Sequence, residues 1–252
     1  MVKEDGPLTS SLYQRHIQRH RLTSTHLGED RTIVVSLPPN YTERRAHPVL
    51  YLQDGDDYFL LGRIATTVNR LLQEERIASL LVVGIPVDKA RRRDEYGPDG
   101  ARFQQYQRFL HNEIIPYIDR VYATIPSRRG RVIGGSSLGA TQALMTAVTY
   151  SNAFRAVLSQ SGAFHPRMHD WLRNQARRLD LSVYMSVGTH ESPAITPAGR
   201  LDILGWNRTV ADILRECGLD VVYREKEGGH DWGFWQQDLP EALMVLFPKD
   251  VT

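Results

Sequence analysis

Short, nearly continuous apolar runs recur along this chain, at 48–52, 80–85, 131–135, 156–159, 181–187 and 221–224. No other feature restricts its fold as much. A strand that is apolar at successive positions is buried on both faces. Between and after these runs, apolar residues return at helical spacing over 58–76, 101–122, 138–149, 197–217 and 236–246. In 101–122 the stripe is Phe109, Ile114, Tyr117, Ile118 and Val121. Pro116 should bend or interrupt that helix, because its ring collides with the preceding turn. Residues 12–37 read differently, as two polar-faced strands joined near 27–30. Pro38-Pro39-Asn40 ends the second, since proline cannot donate to a ladder. The alternation predicts an α/β chain with a mostly parallel central sheet, helices on both faces and antiparallel N-terminal strands. No long polar linker divides it, so residues 1–252 read as one domain.

Composition then removes several classes of function. With 41% hydrophobic and 24% charged residues the chain can build a core. Its 31 Lys+Arg against 29 Asp+Glu leave a net charge of +2, too little for a dedicated nucleic-acid binder. The longest apolar run, 80–87, falls far short of the roughly 20 residues that cross a bilayer, so no membrane partner is expected. Residues 1–11 carry no apolar segment of the secretory kind, which makes a cytoplasmic location the expectation. Cys217 is the only cysteine, which rules out an internal disulfide and any cysteine-rich zinc site.

The chemistry is carried by Gly135-Ser136-Ser137-Leu138-Gly139, a G-x-S-x-G set between a predicted strand and a predicted helix. A serine on so sharp a turn projects its hydroxyl over the sheet edge, and the flanking glycines let strand and helix approach. The helix start favours developing negative charge, and the Leu138 N–H can point at an oxyanion. A serine needs a base. Of nine histidines, His230 follows a predicted strand on a glycine turn and precedes the last helix. Glu191 lies just past Gly188, at the end of the strand before that. Ser137, Glu191 and His230 therefore stand in the order nucleophile, acid, base, each beyond a strand's carboxyl end. Asp231 is the weaker acid candidate, because a sequence neighbour seldom reaches the imidazole in the right plane. The loop after 48–52, Gln53-Asp54-Gly55-Asp56-Asp57, should supply a second oxyanion donor, with Gly55 allowing the turn and Asp56 giving its N–H.

These residues resemble the putative esterase family of α/β-hydrolases. The resemblance rests on residues 49–56, 83–86, 93–98, 134–139, 188–191 and 228–232, in the family's order, and covers roughly residues 20–247. That family is similar to enterochelin esterases, esterase D and feruloyl or acetyl xylan esterases. The resemblance implies an α/β-hydrolase that cleaves a small-molecule carboxylic ester through an acyl-enzyme, with no cofactor. It implies Ser137 as nucleophile, Glu191 as acid and His230 as base, with Leu138 and Asp56 at the oxyanion. Ala140 stands where the family often has a further glycine. The absence of an evident lid suggests an open cleft, suited to siderophore-type or acyl-sugar esters. An acyltransferase on the same scaffold and a non-catalytic binding module are the competing readings.

Lys89-Ala90-Arg91-Arg92-Arg93 is a basic run beyond a sheet strand. It reads either as a solvated loop or as a patch for an anionic substrate, with Arg93 nearest the cleft by the resemblance. Trp232 and Trp235 flank the histidine loop as aromatic substrate wall or as core. His16/His20 and His165/His169 have a metal-binding spacing but lack a third ligand, and the aspartates of 54–57 lack the rest of a calcium loop. No metal is expected.

Overall fold

The structure, a computed structural model, describes residues 16–39 and 41–249. The predicted strand start at 12–15 and Asn40 of the proline stop lie outside the described residues. The hairpin of β1 (His16–Ser24) and β2 (Glu29–Leu37) pairs antiparallel, with His16 opposite Leu37. The chain then alternates. β3 (Val49–Gln53) leads to α1 (Gly55–Leu60) and α2 (Ile64–Gln73), and β4 (Leu81–Ile85) to α3 (Arg92–Tyr96), α4 (Phe103–Phe109) and α5 (Ile115–Val121). β5 (Arg131–Ser136) leads to α6 (Leu138–Thr149), β6 (Ala156–Gln160) to α7 (His169–Gln175), and β7 (Ser182–Gly188) to a small hairpin, β8 (Ala194–Thr196) and β9 (Gly199–Leu201). Then come α8 (Ile203–Glu216), β10 (Asp220–Lys226) and α9 (Trp232–Leu246).

The main sheet runs β1-β2-β4-β3-β5-β6-β7-β10. Only the pairings of β1 with β2 and of β2 with β4 are antiparallel. The apolar runs sit in the middle, where β3, β4, β5 and β6 are buried at every position. Period-two alternation divides their side chains between two cores. Tyr51, Val83, Ile133 and Val157 pack with α4, α5, α6 and α8 on one face. Leu50, Leu52, Val82 and Leu158 pack with α2 and α9 on the other. At the edges, β1 and β10 carry the exposed and half-exposed patterns. The parallel strands bring their carboxyl ends to one edge, where an open α/β sheet places its ligands. No helix among the described residues is long and apolar enough to cross a membrane.

The structure departs from the sequence reading at several element boundaries. The helix expected over 58–76 is two helices, broken at Leu61-Gly62-Arg63, with Arg63 at φ 51°. Gly62 is pressed against the Tyr58 carbonyl and the Trp232 ring, with no room for a β-carbon. The 101–122 segment remains helical, but its turn at Leu110–Ile114 is a π-helix. That wide turn lies just before Pro116, where a regular helix would meet the proline ring. The helix expected from 197 begins as the β8–β9 hairpin and starts only at Ile203, where the Asp202 carboxylate caps it by accepting the Gly205 N–H at 3.0 Å. The last helix starts earlier than expected, at Trp232, for the same kind of reason. α7 had no counterpart in the sequence reading.

Candidate active site

Ser137 joins β5 to α6 in a single step, at φ 54° and ψ −124°. A non-glycine residue in that region is strained and persists only where its surroundings fix it. Gly135 and Gly139 provide the fixing. A β-carbon on Gly135 would lie 2.5 Å from the carbonyl carbon of Gly139, and one on Gly139 would lie 2.8 Å from the Asp54 carboxylate. The Ser137 N–H donates to the Gln160 carbonyl (2.9 Å), and its own carbonyl accepts from the Ala163 N–H (3.1 Å). The elbow is thus clamped between the β3 loop and the β6 loop. The residue itself is half-buried and lines the cleft.

The imidazole of His230 reaches this hydroxyl, with Nε2 2.8 Å from Ser137 Oγ. On its other side Nδ1 lies 2.6 Å from Glu191 Oε2. A carboxylate can only accept, so the proton belongs on Nδ1, which leaves Nε2 free to take the serine proton. Glycines bring the two loops together. A β-carbon on Gly188 would lie 2.3 Å from the Gly228 carbonyl oxygen, and Gly228 itself sits at φ +150°. The three residues named from the sequence therefore form one connected set. Asp231 does not join it. Its carboxylate accepts the Phe234 N–H at 3.0 Å and caps α9.

The β3 loop corrects the sequence reading in one respect. The turn's left-handed residue is Asp54, at φ 52°, not Gly55. Gly55 is required for another reason, because a β-carbon there would lie 2.4 Å from the backbone of Gly84 and Ile85. Asp56, the expected oxyanion donor, lies in the first turn of α1, and its side chain turns outward, 3.5 Å from Arg19. The cleft wall is made here by Asp54 and Asp57. A helix that starts at Gly55 leaves the N–H groups of its first turn, including that of Asp56, without intrahelical acceptors.

Asp54 is held by a residue that the sequence reading passed over. Arg92 grips its buried carboxylate with two bonds of 2.7 Å and rides over the Tyr96 ring. Burial alone would lower the Arg92 guanidinium, but the Asp54 contact outweighs it and raises it. The Tyr96 hydroxyl accepts the Asp54 N–H at 3.0 Å. Glu95, fully buried, takes bonds of 2.8 and 3.0 Å from Arg31 and so ties α3 to β2. In the basic run it is thus Arg92 that is structural, while Arg93 is exposed along the cleft. Lys89 pairs with Asp57.

A cleft of about 1710 Å³ opens over these groups. Arg92 and Arg93 line it from α3, Trp171 from α7, Trp206 from α8, and Trp232 and Trp235 from α9. Trp232 is half-buried, edge-on to Tyr58 and to Trp235 at ring separations of 5.0 Å. Trp235 is buried and donates its indole N–H to Ser161 Oγ at 2.9 Å, so it belongs to core and site at once. Ser161 is the second residue the sequence reading missed. Its only signal was a position just past a strand's end.

The histidine pairs have other partners. His16 and His20 lie on a strand, and His20 bonds the Tyr117 and Tyr122 hydroxyls. The His165 Nδ1 accepts the Arg167 N–H, while the His169 ring bonds the Phe164 carbonyl and is lowered in pKa by burial. Among the described residues no three His, Cys, Asp or Glu side chains are grouped to hold a metal ion.

A mostly parallel sheet, a serine on a strained strand-to-helix turn, and a histidine and carboxylate from later loops define the α/β-hydrolase class. Solved structures agree. A ferulic acid esterase superposes with a TM-score of 0.79 at 20% identity, over 93% of this chain and 99% of its own. The enterobactin esterase of Shigella flexneri superposes with a TM-score of 0.77 at 20% identity, over 91% of this chain and 58% of its own. At such identities the likeness is one of fold. In sequence, the family model described as "Putative esterase" matches residues 24–246, and the chain belongs to that family, as a carboxylic ester hydrolase. The uncharacterized protein YjcH of Bacillus subtilis (strain 168) is 35% identical over 232 residues, covering 91% of this chain and 97% of its own. An acetyl esterase of Caldicellulosiruptor saccharolyticus is 29% identical over 175 residues, 59% of this chain and 66% of its own.

Proposed function

We propose that this esterase works through an acyl-enzyme on Ser137, with His230 as general base and Glu191 as the acid that orients it. The observation that carries this reading is the unbroken line from Ser137 Oγ through the two ring nitrogens of His230 to Glu191 Oε2, at 2.8 and 2.6 Å. His230 takes the serine proton as Oγ attacks the ester carbonyl. The oxyanion is met by the Leu138 N–H and by an amide of the first turn of α1, that of Asp56. The imidazolium then protonates the leaving alcohol, and water repeats the sequence on the acyl-enzyme.

The substrate is a small-molecule ester. The size of the cleft, its tryptophans and the exposed Arg93 favour a bulky ester with aromatic and anionic parts, of the siderophore or acyl-sugar kind, with Trp232 and Arg93 in contact with it. The ferulic acid and enterobactin esterases that share the fold support the same choice.

A fluorophosphonate tests the mechanism. It should label the wild-type protein at Ser137, and Ser137→Ala should lose both the label and turnover of p-nitrophenyl acetate, by several orders of magnitude. Labelling at Ser136, with Ser137→Ala still active, would overturn the assignment.

A further inference from the structure

Glu191 is fully buried, yet both of its oxygens are occupied. Oε2 faces His230. Oε1 accepts two bonds, from the Gly188 N–H and from the Ser161 hydroxyl, each at 2.7 Å. Ser161 is itself fully buried, and its Oγ accepts the Trp235 indole N–H at 2.9 Å. A serine hydroxyl has one proton to give. With the indole N–H aimed at its oxygen, that proton is directed to the carboxylate. Trp235 also meets the His230 ring edge-on, at 5.1 Å between centroids and 85° between planes.

The backbone of Ser161 is unusual as well. It sits at φ 48°, a region that favours glycine, and its N–H donates to the Ser186 carbonyl at 2.7 Å. On either side of it, the Gln160 carbonyl and the Ala163 N–H are the two backbone groups that clamp Ser137. One short loop after β6 therefore touches the nucleophile's backbone and the acid's side chain together.

Resting on the Ser137–His230–Glu191 reading, we infer that Ser161, aimed by Trp235, is a positioning residue for the catalytic acid. Glutamate has one more rotatable bond than aspartate, so its carboxylate has more orientations to lose. Two donors on Oε1 and the imidazole on Oε2 select one of them. They also satisfy a buried charge that would otherwise be costly. Ser161 touches neither substrate nor reacting atoms and acts through Glu191 alone.

The test compares Ser161→Gly, Trp235→Phe and the double variant. Glycine accepts the backbone angle at 161 without strain, so the hydroxyl is removed with little risk to folding. Turnover of p-nitrophenyl acetate is measured per serine titrated by fluorophosphonate. Ser161→Gly should lower kcat about 10-fold to 100-fold, the worth of a hydrogen bond to a charged group, with KM within about twofold. The acid limb of its kcat profile should move to higher pH, because a carboxylate with one donor fewer holds the imidazolium more strongly. Trp235→Phe should cost less, and the double variant should match Ser161→Gly alone, since the indole works through the hydroxyl. Unchanged kcat per titrated site, an unmoved acid limb, or losses that simply multiply would overturn the proposal. Failure of the triad reading looks different: Ser137→Ala would retain turnover, or Glu191→Gln would be nearly as active as wild type.

Discussion

The Ser137 turn after β5 and the Glu191 loop after β7 meet at one histidine, yet different parts of the chain hold them in place. At the turn, the residues that permit the strain at Ser137 are Gly135 and Gly139, and they touch each other directly. At the acid loop the equivalent close approach is between Gly188, the last residue of β7, and Gly228, in the loop after β10. The carboxylate is held by the nearby Gly188 N–H but also by Ser161, 30 positions earlier, and by His230, 39 positions later. A strained turn can be specified by a few neighbouring residues. The orientation of a buried carboxylate cannot, because its donors must converge from several directions.

The largest effect that would sharpen this contrast is electrostatic. Glu191→Gln keeps the shape of the acid but removes its charge and can impose the wrong imidazole tautomer. It should cut kcat by about 10²-fold to 10⁴-fold with little change in stability. A mild loss measured on p-nitrophenyl acetate would mean that the acid loop does not orient the base and that Ser137 and His230 work as a pair.

The next test breaks the turn. Gly135→Ala places a methyl group against the backbone of Gly139, where neither side can yield without separating β5 from α6. It should cost about 1–3 kcal/mol in urea unfolding and take activity with it. Full stability and activity in this variant would show that the turn does not depend on its glycine contact.

The smallest effect separates the two carboxylates near the base. Asp231→Ala removes the cap of α9 and should cost about 1 kcal/mol of stability while leaving kcat within a few-fold. If instead Asp231→Ala is crippling while Glu191→Gln is mild, the acid is misassigned.

The same contrast explains what could be read from the amino-acid sequence. The buried strands were legible because burial on both faces leaves a run of apolar residues, and β3 to β7 fall close to their expected positions. Ser137, Glu191 and His230 were legible because each follows such a strand. Ser161 and Arg92 were not. Both act on groups far away in sequence, and a serine after a strand or an arginine in a basic run has no local mark of its partner. Asp56 was named for its N–H, which lies in the first turn of α1; that its side chain turns out toward Arg19, and that Gly55 packs against Gly84, had no mark in the sequence.

By itself, then, the sequence determined the α/β alternation, the strand-to-helix elbow and the order of Ser137, Glu191 and His230 past successive strand ends, since these rest on hydrophobic periodicity and on glycines near the residues they serve. Tertiary structure alone decided where helices break or start late, that Arg92 and not Arg93 grips Asp54, and that the Ser161 hydroxyl bonds Glu191. Those outcomes depend on hydrogen bonds and close contacts between distant segments, which exist only once the sheet has brought its strand ends to a common edge.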